Sequence, residues 1–228
     1  MSDVHHKLET LQDEELVNAA THGIGLAIAL AGAVVLIWTA ARHGSVWQIV
    51  GCSIYAATLI CAYAASTLSH SFRSPRLRHA FRIADQAVIF LFIAGSYTPL
   101  ALAYLHHGAW WILTGLVWLV AVIGFLQKAV FAHRVHLGAV SASLYVILGW
   151  LPITAIVPMF YVVPVPLLTW IIIGGACYSA GILFFHFDNK VRYFHAAWHL
   201  MVIAGTTCHY IGNLIYCTGS LLPVAAIR

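Results

Sequence analysis

Charge is scarce in this chain. Only 8% of its 228 residues are Asp, Glu, Lys or Arg, against about 25% in a soluble domain. With 62% hydrophobic residues and a mean hydropathy of +0.90, a soluble core could not hide this much apolar surface, so the solvent must be lipid. Acid is scarcer still: Asp3, Glu9, Asp13, Glu14 and Glu15 stand near the N-terminus, and only Asp85 and Asp188 lie beyond them. Paired cysteines are missing too. Cys52, Cys61, Cys177, Cys208 and Cys217 all fall in apolar stretches and none forms a CxxC pair, which reads as small apolar filler. No cleavable signal is expected, because the first 17 residues are polar and acidic with Lys7 their only Lys or Arg. Nor is there an internal repeat, which disfavours an inverted-repeat transporter.

What the chain does have is long apolar runs. A bilayer-crossing helix needs about 20 such residues. Seven runs qualify, at about 18–41, 47–69, 83–104, 109–131, 137–157, 166–186 and 193–216. The predicted fold is all-α: a seven-transmembrane bundle at 18–216, an N-terminal tail at 1–17 and a short C-terminal tail at 217–228. Pro152, Pro158, Pro164 and Pro166 mark a break between runs five and six. The basic residues sort by side. Arg73, Arg76, Arg78, Arg82, Lys128, Arg134, Lys190 and Arg192 occupy alternate loops, while the three other loops hold only Arg42. The positive-inside rule then puts the N-terminus in the cytoplasm and the C-terminus outside, in a multi-pass protein of the plasma (inner) membrane. This asymmetry accounts for the formal charge of +4 without nucleic acid.

Ionisable groups inside a membrane are functional suspects. His70 ends run two, three residues before Arg73. Asp85 opens run three, three after Arg82. His195 opens run seven, three after Arg192. Each lies about 5 Å from its flanking arginine along the helix axis, and His199 is one turn deeper. Four candidate ligands from three helices share one membrane level. His195 and His199, in HAAWH, stand at i, i+4 on one helix face and can grip one metal. His70 would complete a three-histidine zinc site that leaves a position for water. Asp85 could hydrogen-bond that water or serve as a fourth ligand. Ser66, one turn before His70, sits where it could contact the ligands or a substrate.

Duller explanations compete. Many helices carry two histidines four apart by chance, and Asp85 could simply pair with a surface arginine. His79, His106, His107, His133, His136 and His186 read as interfacial. His209, about 15 Å beyond His199, is too deep for the same metal and reads as a buried hydrogen-bonding residue. HAAWH lacks the glutamate of HExxH, which removes the usual metalloprotease base. Run seven has no lysine, which disfavours a Schiff-base retinal protein.

The segments EELVNAATHGIG, STLSH at 66–70, FRIADQAVIFLFIAGSYTP at 81–99 and HAAWHLMVIAGTTCHY at 195–210 resemble the hemolysin III family and, more distantly, the progestin and adipoQ (adiponectin) receptors. The resemblance implies a seven-helix bundle with an intracellular-side zinc held by His70, His195 and His199, Asp85 contacting its water, and Ser66 in the family's serine position. It also implies a membrane hydrolase of the ceramidase-like, amide-cleaving kind. The receptors' long soluble N-terminal domain is lacking and the His70-to-Asp85 segment looks shorter, so no hormone ligand is implied. The bacterial branch is named for cytolysis, yet no amphipathic pore-forming segment stands out. Two expectations follow: a zinc-dependent hydrolase of a membrane lipid that enters sideways between helices, with Asp85 and Ser66 as catalytic candidates, or a non-enzymatic membrane-homeostasis, cytolytic or sensing protein whose zinc ties helices together. The substrate and the oligomeric state stay open.

Overall fold

In lipid the backbone has no partner but itself, so a chain of this composition resolves into helices. The structure, a computed structural model, describes residues 2–131 and 138–220, with side chains described for 12–131 and 143–220. His133, Arg134, His136, the side chains of Asp3, Lys7 and Glu9, and residues 221–228 lie outside that description. Helix α1 runs Ser2–His43, α2 Val46–Ser71, α3 Pro75–Tyr104, α4 Trp110–Phe131, α5 Gly138–Trp150, α6 Ile156–Met159, α7 Val165–Phe187 and α8 Phe194–Gly212. A π turn over Asn213–Cys217 extends α8.

Local chemistry sets several boundaries. Ser45 and Gln48 form a reciprocal capping box at the start of α2, satisfying two backbone donors that the helix leaves open. Pro75 and Pro166 fall in the first turns of α3 and α7, where a missing N–H costs nothing. Tyr193, the residue before α8, takes a left-handed conformation at φ 63°. That is an uncommon state for a residue with a Cβ, and it turns the chain into α8 two residues ahead of His195.

Among the described residues, six helices are long and apolar enough to cross a membrane: Gln12–His43, Val46–Ser71, Pro75–Tyr104, Trp110–Phe131, Val165–Phe187 and Phe194–Cys217. The fifth expected run, 137–157, is not one continuous helix. It stops at Trp150, tightens into a 3₁₀ turn over Leu151–Ala155 and ends in the short α6. Pro152 is the physical reason: it has no N–H for the ladder, and its ring clashes with the carbonyl four residues back. The helix that carries the first apolar run begins upstream of it and is already formed at Gln12.

Helix α3 is the most deeply enclosed of the six. It separates two apolar clusters. One joins α3 to α4, α5 and α7 around Phe90, Leu100, Val117, Leu148 and Leu167. The other joins α1, α2 and α8 around Leu36, Tyr55, Leu59 and Phe92. Outward faces are equally apolar. On α4 the exposed side chains Ile112, Leu116, Leu119, Ile123, Leu126 and Val130 recur every three or four residues, a continuous stripe fit for lipid. The broken segment packs along the bundle: the Tyr145 hydroxyl donates to the Gln86 carbonyl at 2.7 Å and the Trp150 indole donates to Ser179 Oγ at 2.9 Å. A cavity of about 530 Å³ lies between the two clusters.

Candidate metal centre

Helices α2, α3 and α8 bring the sequence-predicted residues together where α2 ends and α8 begins. His70, His195 and His199 each present a ring nitrogen within 4.8 Å of the others. His70 and His199 are buried and His195 is half-buried. The pair on α8 owes its alignment to the i, i+4 spacing. His70 meets it edge-on, with ring centroids 5.0 Å from His195 and 5.2 Å from His199.

The other nitrogen of each ring is already engaged. His70 Nδ1 lies 2.6 Å from Glu15 Oε2, and His195 Nδ1 lies 2.8 Å from Asp188 Oδ2. Carboxylates only accept, so both Nδ1 atoms carry the proton. His199 Nδ1 lies 3.1 Å from Thr21 Oγ1. That hydroxyl spends its own proton on the carbonyls of Val17 and Asn18, so it accepts from His199. Each ring thus donates from Nδ1, and in its neutral form offers Nε2 as the lone pair. His70 Nε2 is buried without a hydrogen-bond partner, an expensive arrangement unless something binds there. Three neutral imidazole donors, each oriented by a second group, are the set a tetrahedral metal such as zinc prefers.

Asp85 lines the same cavity as the histidines. Its Oδ2 lies 3.5 Å from Ser69 Oγ, and Ser66 faces the same carboxylate. The duller expectation for Asp85, a surface arginine pair, does not hold among the described residues. Arg82 instead meets Glu15 at 3.0 Å, with Arg78 at 3.6 Å from the same oxygen. Ser66 is buried and lies 2.7 Å from His22 Nδ1. The His22 ring stacks on His199 with centroids 3.6 Å apart, and its Nε2 is buried without a partner.

Sequence reasoning missed Glu15, Thr21, His22 and Asp188. Glu15 and His22 had a legible signal. Glu15, Asn18 and His22 stand at i, i+3 and i+7, one face of one helix, and all three line the cavity. They escaped because the acidic segment read as a tail. Asp188 had only its position among basic loop residues. Of the histidines expected at interfaces, His79, His107 and His186 are exposed, and His106 stacks on Trp47. His209 is buried, its Nε2 3.2 Å from the Ile171 carbonyl. All five cysteines are free, and Cys52 and Cys217 are buried.

The fold and this cluster define a class: a polytopic α-helical membrane protein with a three-histidine site able to hold a metal. The chain belongs to the Haemolysin-III related family, whose profile matches residues 11–210. It is 33% identical over 226 residues to "Hemolysin-3" of Bacillus cereus, covering 99% of this chain and all of that protein. It is 34% identical over 204 residues to the "Hemolysin-3 homolog" of Bacillus subtilis (strain 168), covering 90% and 94%. Human "Monocyte to macrophage differentiation factor" is 32% identical over 133 residues, 56% of this chain and 52% of that protein.

Proposed function

We propose that the protein is a zinc-dependent hydrolase that cleaves an amide bond of a membrane lipid. The observation that carries this reading is the open donor set. Among the described residues, the donors that converge within 4.8 Å are the three histidines, without Asp85. A structural zinc site closes its shell with four protein ligands, whereas a catalytic one has three and keeps a position free. When bound, zinc would supply a Lewis acid for the scissile carbonyl and lower the pKa of a water toward about 7. The protein's own part is to orient and to move protons. Glu15, Asp188 and Thr21 hold the three imidazoles in one tautomer. Asp85 faces the cavity as the acceptor for a proton, held by Ser69. Ser66, tied to His22, is placed to touch a substrate polar group. The cavity volume of about 530 Å³ lies in the range of small-molecule sites, and its deeper walls, with Leu59, Phe92, Leu100, Met159 and Leu168, suit an acyl chain.

The topology that goes with this reading has seven crossings, the fifth made by the broken segment α5–α6. Two contacts support it: Tyr145 reaches Gln86 near the histidine end, and Met159 and Val163 pack in the cluster that holds Leu100 and Leu105. The loop asymmetry supports a cytoplasmic histidine end in the plasma membrane. Reporter fusions at residues 71–81 and at the C-terminus check the orientation; a cytoplasmic signal from the C-terminal fusion would reverse it. Elemental analysis of purified protein should return one zinc per chain, and turnover should appear on a panel of amide and ester lipids. Zinc-loaded protein that hydrolyses nothing on that panel would sink the hydrolase.

A further inference from the structure

The cavity holds a cation that the proposed chemistry leaves unused. Lys128 lines it and is only 8% exposed. A lysine one turn from a helix end ordinarily snorkels, its stem along the apolar surface and its amine in water. Arg82 and Arg192 behave in that way, with side chains 52% and 46% exposed and acids beside them. Lys128 is enclosed instead. Among the described residues no carboxylate lies within ion-pair distance of it: Asp13, Glu14, Glu15 and Asp188 make their ion pairs elsewhere, and Asp85, which lines the same cavity, makes none.

Its level follows from packing. Gly124 lies one turn before Lys128 on the same face of α4, and a Cβ there would fall against the Phe90 ring. Helices α3 and α4 run antiparallel, so one turn onward from Gly124 faces one turn back from Phe90, which is Gln86. Gln86 is the neighbour of Asp85 and lines the same cavity, as does Tyr145, whose hydroxyl binds the Gln86 carbonyl. Lys128 therefore stands on the α4 wall at the depth of Asp85, while the histidines stand on α2 and α8. An uncompensated buried ammonium is costly, and an apolar cavity at its side points to an anion that carries its own hydrocarbon.

We propose that Lys128, on the cavity wall it shares with Gln86 and Tyr145, supplies the charge of an anion-binding subsite that takes the phosphate or carboxylate head of a single-chain lipid whose tail fills the cavity. As a statement about the substrate this rests on the hydrolase reading; as a statement about binding it rests on the cavity alone. The subsite makes the preferred ligand an anionic amphiphile and orients it, with charge at α4 and the adjoining bond toward the histidines.

The test uses the full chain in neutral phosphatidylcholine nanodiscs, with empty discs correcting for partition. Dodecyl phosphate and lauric acid are the anionic probes, methyl laurate and dodecanol the neutral ones, and inorganic phosphate the free anion. Wild-type protein should bind one or both anionic probes more tightly than the neutral pair, and the favoured anion identifies the head group. Lys128→Met should weaken that probe about tenfold or more, the usual worth of a charge-assisted hydrogen bond, and leave methyl laurate unchanged. Lys128→Arg should keep the preference. Binding of both anionic probes no tighter than that of the neutral pair by wild type, or full retention by Lys128→Met, would overturn the subsite. If Lys128→Met does not fold, the wild-type comparison and Lys128→Arg still decide. Inorganic phosphate binding as tightly as dodecyl phosphate would show a free-anion site and overturn the lipid. Chelator-stripped protein should retain the preference; its loss would assign the anion to the metal and overturn Lys128. A preference that persists in protein without turnover removes the hydrolase and leaves the subsite standing.

Discussion

Two histidine environments lie in the same bundle and are built on opposite plans. In the cluster of His70, His195 and His199, side chains from other parts of the chain hold each ring: Glu15, Asp188 and Thr21. The free nitrogens then converge. His209 lies deeper on α8 and is held by backbone, its Nε2 against the Ile171 carbonyl and its ring against Gly174. Its Nδ1 is buried and alone. A packing histidine needs one fixed contact. A ligand needs its tautomer and its direction set together, and that takes a dedicated second residue. Burial and residue type do not separate the two environments; the wiring does.

The largest test of that contrast is metal content. His195→Ala/His199→Ala should lose all bound zinc, because the remaining imidazole cannot hold the ion against water, whereas His209→Ala should retain it. Elemental analysis of both proteins from parallel preparations decides the matter. Full zinc in the double variant would put His70, His195 and His199 in the same category as His209.

Asp85 sharpens the contrast next. Asp85→Asn should keep most of the metal, since three histidines remain, but should depress hydrolysis by about 10²–10⁴-fold, the usual worth of general-base assistance. Loss of zinc and of thermal stability together would instead mark Asp85 as a fourth ligand and the site as a scaffold. The orienting residues come third. Glu15→Gln and Asp188→Asn keep the shape but not the charge, and should weaken zinc affinity by about 10–100-fold, read by competition with a chromogenic chelator. Unchanged affinity in both would show that the rings are held by packing, as His209 is.

How much of this was legible in the sequence depended on whether the signal was local. HAAWH is a helix-spacing pattern, and loop charge gives depth, so His70, Asp85, His195 and His199 could be placed at one level before any fold was known. Long apolar runs gave the six continuous spans. The break at Pro152 was harder to read, because proline is tolerated inside membrane helices and Pro99 indeed sits within α3. The partners of the rings were harder still. Glu15 is 55 residues from His70, and Thr21 is 178 from His199. Those pairings depend on how α1 packs against α2 and α8, which no periodicity encodes. Lys128 looked like one more loop-edge cation; its enclosure comes from the fold of α3 against α4.

The smallest effect expected is at Gly174, and it isolates the packing half of the comparison. A Cβ added there would overlap the His209 ring at Cδ2 and come within 2.9 Å of the Gly205 carbonyl. The ring cannot swing away without giving up the Ile171 carbonyl, and the Gly205 oxygen belongs to helix backbone. Overpacking of this kind typically costs about 1–3 kcal/mol. Gly174→Ala should therefore lower the melting temperature while leaving zinc content at the wild-type level, because α7 and α8 would part near His209 and not at the α8 start that carries His195. Gly174→Ala/His209→Ala removes the ring that the new methyl strikes and should recover part of the loss. A double variant no more stable than the single one would mean that the Gly205 backbone contact, rather than the histidine, sets how closely α7 and α8 approach. Loss of zinc in Gly174→Ala would join the two environments into one cooperative unit and end the distinction between them.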